Sequence, residues 1–177
     1  MGMKHPQVLY RSMHGDTQPP AEAASDIERW LMRAALSYIN RYPTSRANLS
    51  RVLARKLQRR VDDPDEAGAL VARVADRLVE ARLVDDAFFA GARVAALKRR
   101  GISAAVTRAK LREKGVDEAT ASTALLEEGH DEREAAHAYA RRRGLGPFRI
   151  RDRTERRDRD VAAMARAGFP VDIAIDI

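Results

Sequence analysis

Residues 111–116 read Leu111-Arg112-Glu113-Lys114-Gly115-Val116, and the pattern returns as Met164-Ala165-Arg166-Ala167-Gly168-Phe169, 53 residues further on. Working backward, residues 36–57 align with residues 94–115 at a single offset of 58. Leu36 then falls on Val94, Ile39 on Leu97, Ser45 on Ser103, Leu53 on Leu111 and Lys56 on Lys114. Self-similarity of this kind is the mark of a repeat array and not of one compact enzyme. A unit of about 50 residues buries too little surface to be comfortably stable alone, so neighbouring units are expected to share a core.

The periodicity around these copies is helical. Ser25-Asp26 reads as a cap that opens a helix through Trp30, Leu31, Ala34, Leu36 and Ile39, a broad 3.6-residue stripe. Tyr42-Pro43 ends it, since the residue before proline disfavours the helical well. Ser45 caps the next helix, whose apolar face is Leu49, Val52, Leu53 and Leu57; such a cap is worth about 1 kcal/mol. After the turn Asp62-Asp63-Pro64-Asp65-Glu66, a third helix presents Leu70, Val74 and Leu78. Leu83-Val84-Asp85-Asp86 leads into the second unit, with Asp86 as the expected N-cap and Phe89, Ala90, Val94 and Leu97 as the buried stripe. Gly101 then stops a helix and Ser103 starts another, with Val106 and Leu111 facing inward. Val116-Asp117 opens a helix with a thin face of Ala121, Ala124 and Leu125. The last unit begins near Asp131, with Ala135, Ala138 and Tyr139, and stops at Arg143-Gly144. A loop rich in Arg and Asp is expected between Gly144 and Arg157, then a helix from Asp160 to Ala167. Residues 171–177 alternate with period two, which suits a strand on local propensity; their place in the repeat favours a short helix.

Composition narrows the function. Lys and Arg number 33 against 26 Asp and Glu, a formal net charge of +7, which points to an acidic partner and to nucleic acid first. The chain lacks cysteine, so neither disulfides nor thiolate zinc sites are expected. There is no apolar run of membrane-spanning length and no signal-peptide core, so no membrane contact and a cytoplasmic setting are expected. No phosphate-cradling glycine loop, G-x-S-x-G elbow or dinucleotide fingerprint occurs. No catalytic residue, cofactor or metal is therefore expected. His130, Glu134 and His137 fall near one helical face, but their spacing lacks a further ligand and reads better as a solvent-facing set. The pair Asp85-Asp86 reads better as helix capping at a repeat boundary than as an acid–base dyad.

Basic clusters remain: Lys98-Arg99-Arg100, then Arg108, Lys110, Arg112 and Lys114, then Arg141-Arg142-Arg143. Each residue alone is explained by the negative end of a helix dipole. As a set they are the expected partner-binding surface, because they recur along the array and would line one side of it. The run Arg149, Arg151, Arg153, Arg156, Arg157 and Arg159 is denser, but Asp152, Glu155, Asp158 and Asp160 interleave it. Trp30, Tyr38, Phe89 and Tyr139 lie on apolar stripes and read as core, not as base-stacking platforms.

Taken in order, Leu83-Val84-Asp85-Asp86, Phe89-Ala90, Arg99-Arg100-Gly101, Lys110 through Val116 and the closing Ala165-Arg166-Ala167-Gly168-Phe169 resemble the RecX family. These are small regulatory proteins that act on the bacterial recombinase RecA. The resemblance runs from residue 34 to the end. It implies an all-α chain of three tandem three-helix repeats, elongated and curved. Residues 1–24 carry His5-Pro6, Gly15-Asp16 and Pro19-Pro20 with no apolar period and read as a mobile tail without a counterpart in the family; the repeats are then expected at 25–84, 85–130 and 131–177. The third repeat departs from the family pattern in its charged loop and in a last helix cut short at Ile177. The resemblance further implies a non-enzymatic monomer that binds the RecA–DNA filament along its groove, meeting single-stranded DNA directly or through the filament. It would limit filament growth or the ATP-driven activities of the recombinase. Several weak modules in one chain would give it avidity. The rival reading is a basic DNA-binding module that acts without RecA; a helical adaptor with an unspecified partner is the third.

Overall fold

The computed structural model describes residues 20–177. The expected tail lies outside the described residues up to position 19, and from Pro20 onward the chain is already helical. Helix α1 spans Pro20–Ile39, so Ser25 lies inside the helix and does not open it. Proline at a first helical position loses no needed N–H and presets φ, and Ala21-Glu22-Ala23-Ala24 are strong helix formers. These local preferences extend the helix upstream of the serine.

Helix α2 (Arg46–Leu57) and helix α3 (Pro64–Glu80) pack with α1 around Leu31, Leu49, Leu53, Leu57, Leu70, Val74 and Leu78. Helices α4 (Asp86–Lys98), α5 (Ala104–Glu113) and α6 (Glu118–Glu127) enclose Ala90, Val94, Leu111, Val116, Ala121, Ala124 and Leu125. The third cluster joins α7 (Glu132–Arg143), a 3-10 turn at Gly146–Phe148, α8 (Arg153–Arg166) and α9 (Val171–Asp176). Its core is Ala135, Ala136, Ala140, Leu145, Met164, Phe169 and Ala174. The molecule is thus an all-α, elongated chain of repeating three-helix units.

A core shared between neighbours is not what forms. The three apolar clusters are separate, and every extensive helix–helix packing lies within one unit. Each unit buries its core leucines and alanines internally, although Leu36, expected on the stripe of α1, is exposed and Ala35 takes its place beside Leu31; the ends of helices are left to meet across the boundaries.

Four local expectations are corrected. Asp85, not Asp86, is the N-cap of α4: its backbone is extended (φ −142°, ψ 113°) and its carboxylate accepts from the Phe88 N–H. On α5 the residue fully buried beside Leu111 is Thr107, and Val106 is half-buried. On α7 the stripe is Ala135, Ala136 and Ala140, with Ala138 and Tyr139 only half-buried. Finally, α8 begins at Arg153 instead of Asp160. The interleaved charges that suggested a loop sit at i,i+4 spacing (Glu155 with Arg159, Arg156 with Asp160) and support helix. Upstream, the Arg149 guanidinium donates to buried Asp160 at 2.8 Å, and the Gly146 N–H donates to the same carboxylate at 2.9 Å. This holds the shortened connection against α8. Residues 171–176 are helical, as their place in the repeat requires; Ala174 is buried in the third core.

Candidate partner-binding surface

Most of the basic residues sit where helices end, Arg108 in the middle of α5 being the exception. Lys98 in the last turn of α4 donates from Nζ to the Glu128 carbonyl at the end of α6, 3.1 Å away. Arg142 donates to the Arg100 carbonyl just past the end of α4, and lies 5.7 Å from the centroid of the Tyr139 ring, with Arg143 at 5.9 Å. Arg108 pairs with Glu118 at 3.1 Å. Those cations satisfy orphan carbonyls or a local carboxylate. By contrast, the side chains of Arg99, Arg100, Lys110, Arg112, Lys114 and Arg141 make no hydrogen bond or ion pair among the described residues.

The boundaries between units are built twice to one plan. Ser45, the N-cap of α2, accepts from the Asn48 N–H at 3.2 Å and donates its hydroxyl to the carbonyl of Lys114, the C-cap of α5. Ser103, the N-cap of α5, accepts from the Val106 N–H at 3.4 Å and donates at 2.8 Å to the carbonyl of Ala167, the C-cap of α8. Asp86 reaches back to accept from the Arg46 N–H, the first of α2, at 2.7 Å. Glu132 does the same for the Ala104 N–H, the first of α5, at 2.9 Å. So in Asp85-Asp86 and Asp131-Glu132 the first acid caps its own helix and the second caps the preceding unit's middle helix.

Glycine closes the same contact. Gly115 (φ +79°) and Gly168 (φ +86°) lie in the left-handed region. A Cβ on Gly115 would collide with Ala47, and one on Gly168 would stand 2.7 Å from the Ser103 Oγ. Only glycine allows both that turn and that approach. The C-termini of α5 and α8 therefore abut the N-termini of α2 and α5, with opposite ends of the helix dipoles facing.

Two basic foci straddle these boundaries. Lys98, Arg99 and Arg141 line an open cleft of about 430 Å³ between α4 and α7, together with Glu128 and Glu134. At the other boundary the Arg51 guanidinium of α2 donates to the Glu113 carbonyl of α5 at 2.8 Å, next to Arg112 and Lys114. The first unit has its own exposed set, missed in the sequence reading: Arg55, Lys56, Arg59 and Arg60, the last placed 4.1 Å over the Trp30 ring. The alignment of Lys56 with Lys114 was the available signal. Nothing gathers His130, Glu134 and His137. His130 is buried with Nε2 3.0 Å from Glu132, Glu134 lines the cleft, and His137 meets the edge of Phe148. No cluster of three metal-ligating side chains occurs among the described residues.

Comparison with known proteins bears on these features. Residues 85–125, which contain α4, α5 and α6, match the family model described as RecX, second three-helix domain. A curated relative, the regulatory protein RecX of Myxococcus xanthus (strain DK1622), is 37% identical over 153 residues, covering 82% of this chain and 82% of its own. Two crystal structures share the fold. A regulatory protein RecX aligns with TM-score 0.65 at 21% identity, covering 86% of this chain and 72% of the other. RecX from Lactobacillus salivarius aligns with TM-score 0.61 at 19% identity, covering 87% and 93%. With its three-helix units and that degree of identity along most of its length, the chain belongs to the RecX family of regulatory, non-enzymatic proteins.

Proposed function

We propose that this protein regulates the recombinase RecA by binding along the RecA–DNA filament, laying three tandem units in its helical groove. Occupying the groove blocks filament growth and the ATP-driven steps that need it. The observation that carries the reading is the placement of unengaged cations, Arg99 and Arg141 at one unit boundary and Arg112 and Lys114 at the other. A row of units with basic foci at each boundary suits a periodic, acidic partner, either filament carboxylates or DNA phosphates. Each focus alone is weak, and their linkage in one chain supplies the avidity. The protein acts as a cytoplasmic monomer on this reading; no helix among the described residues is long and apolar enough to cross a membrane.

The net charge of +7 favours one competing reading, a DNA-binding module independent of RecA. Affinity for an assembled RecA–single-stranded-DNA filament, measured against affinity for the same bare DNA at matched salt, separates the two. Tighter binding to the filament is expected. Preference for bare DNA overturns the proposal.

A further inference from the structure

We infer that Ser45, Asp86, Ser103 and Glu132 are positioning residues that set the spacing and orientation of the units, and through them the register on the partner. The inference rests on the functional reading above for its second half only. Its basis is the contrast between two kinds of contact. Within each unit, helices pack extensively around leucine, valine and alanine; between units no extensive helix packing exists among the described residues. What joins the middle helices is a serine that donates to the next unit's C-cap carbonyl, and an acid from that unit which takes the first N–H. Directional bonds at two points fix both distance and angle, as a slippery apolar face would not.

The plan repeats down to its packing. Ala47 and Ala105 occupy the same position, two after the serine, and each faces the glycine of the incoming turn. The third unit lacks it: α8 begins after Asp152, which sits in the left-handed region and makes no side-chain cap bond. Among the described residues the joint therefore occurs at the two boundaries between units, and the start of α8 carries no counterpart of it. The two joints also differ in one respect. At the second, Glu132 Oε2 takes both the Ala104 N–H and buried His130.

The chain has no cysteine, so exposed Glu66 and Glu155, in the first and third units, can be changed to Cys and labelled for single-molecule energy transfer in the full chain. Asp86→Ala combined with Glu132→Ala should broaden the distance distribution of the free protein. Filament affinity should then fall by about tenfold or more, the loss expected when linked modules no longer reach their sites together. Asp86→Asn with Glu132→Gln keeps an acceptor oxygen at each joint and should restore most of both. Should the alanine variant lose helix content, Gly115→Ala decides instead. Gly115 lies outside all three cores, and its added methyl should push the first joint open against Ala47. An unchanged distance distribution would mean that the short interunit turns alone set the spacing, and overturns the inference. So does a broadened distribution with unaltered affinity. A parent protein that fails to bind the filament removes the functional reading and the register role with it; the distances then still decide whether these residues set the spacing.

Discussion

Asp160 is a buried carboxylate stabilised chiefly by one arginine. Hydrogen bonds from Arg149, and then from the Gly146 N–H, hold its carboxyl below the usual carboxylate range, against the opposing effect of burial. A lowered folded-state pKa means that the contribution is fully present above the unfolded value and is lost as pH falls through the folded one. The third unit should therefore weaken below roughly pH 4. Asp160→Asn should cost about 2 kcal/mol at pH 7, the scale of hydrogen bonds to a charged group with one partly solvated partner. Its stability should also vary less with pH between about 5 and 2 than the parent's; urea melts followed by helical circular dichroism across that range check both. Other single residues were easier to read from sequence. Ser45 and Ser103 were legible as caps because a serine after a helix break has one common use. Their second bond, to a carbonyl 69 or 64 residues away, was not legible, since local pattern carries no information about which helix end arrives. Asp86 was misplaced for the same reason: both members of Asp85-Asp86 can cap, and only the neighbouring unit decides which caps what.

Helices with a leucine stripe declared themselves; those built on alanine and charge did so less clearly. Leu49, Leu53 and Leu57 on α2 are all fully buried, as their spacing of four requires. Leu53→Ala should destabilise the first unit by about 3 kcal/mol through lost burial and the cavity left behind, read as a lower urea midpoint for that unit. The third core has Leu145, Met164 and Phe169 as its large members, with four alanines making up the rest of its seven buried residues. It should melt first, with hydrogen exchange showing α7 and α9 opening before α2 and α3. Helix α8 was half missed because its opening turns have no apolar period: residues 151–159 are all exposed, and their helicity comes from alternating charge and from the Asp160 anchor. In the other direction, α9 overrode a period-two pattern. A six-residue segment with no strand among the described residues to pair with gains more by burying Ala174 against the third core than by staying extended.

At the scale of the molecule, sequence self-similarity disclosed the array, and the copies it picked out are the joints: Ser45 on Ser103, and Lys114-Gly115 on Ala167-Gly168. The basic foci were legible as clusters but not as boundary features, because convergence of Lys98 and Arg99 with Arg141 depends on how two units meet. Reversing the charge at one focus (Arg99→Glu with Arg141→Glu) or at the other (Arg112→Glu with Lys114→Glu) should each weaken filament binding at least tenfold. Both together should flatten its salt dependence. Removing residues 131–177 should cost far more than a third of the binding free energy; inhibition that survives this deletion unchanged rules out multivalent docking. A last consequence follows from how the middle helices abut. Each contact sets a hydroxyl and a first helical N–H on one side against a carbonyl and a carboxylate on the other, so α8, α5 and α2 all point the same way along the row. Turned end for end, the row would run with the N-termini of its middle helices leading instead of their C-termini. The molecule is an arrow as well as a chain of beads, and on the proposed reading a polar filament would accept it in one sense only.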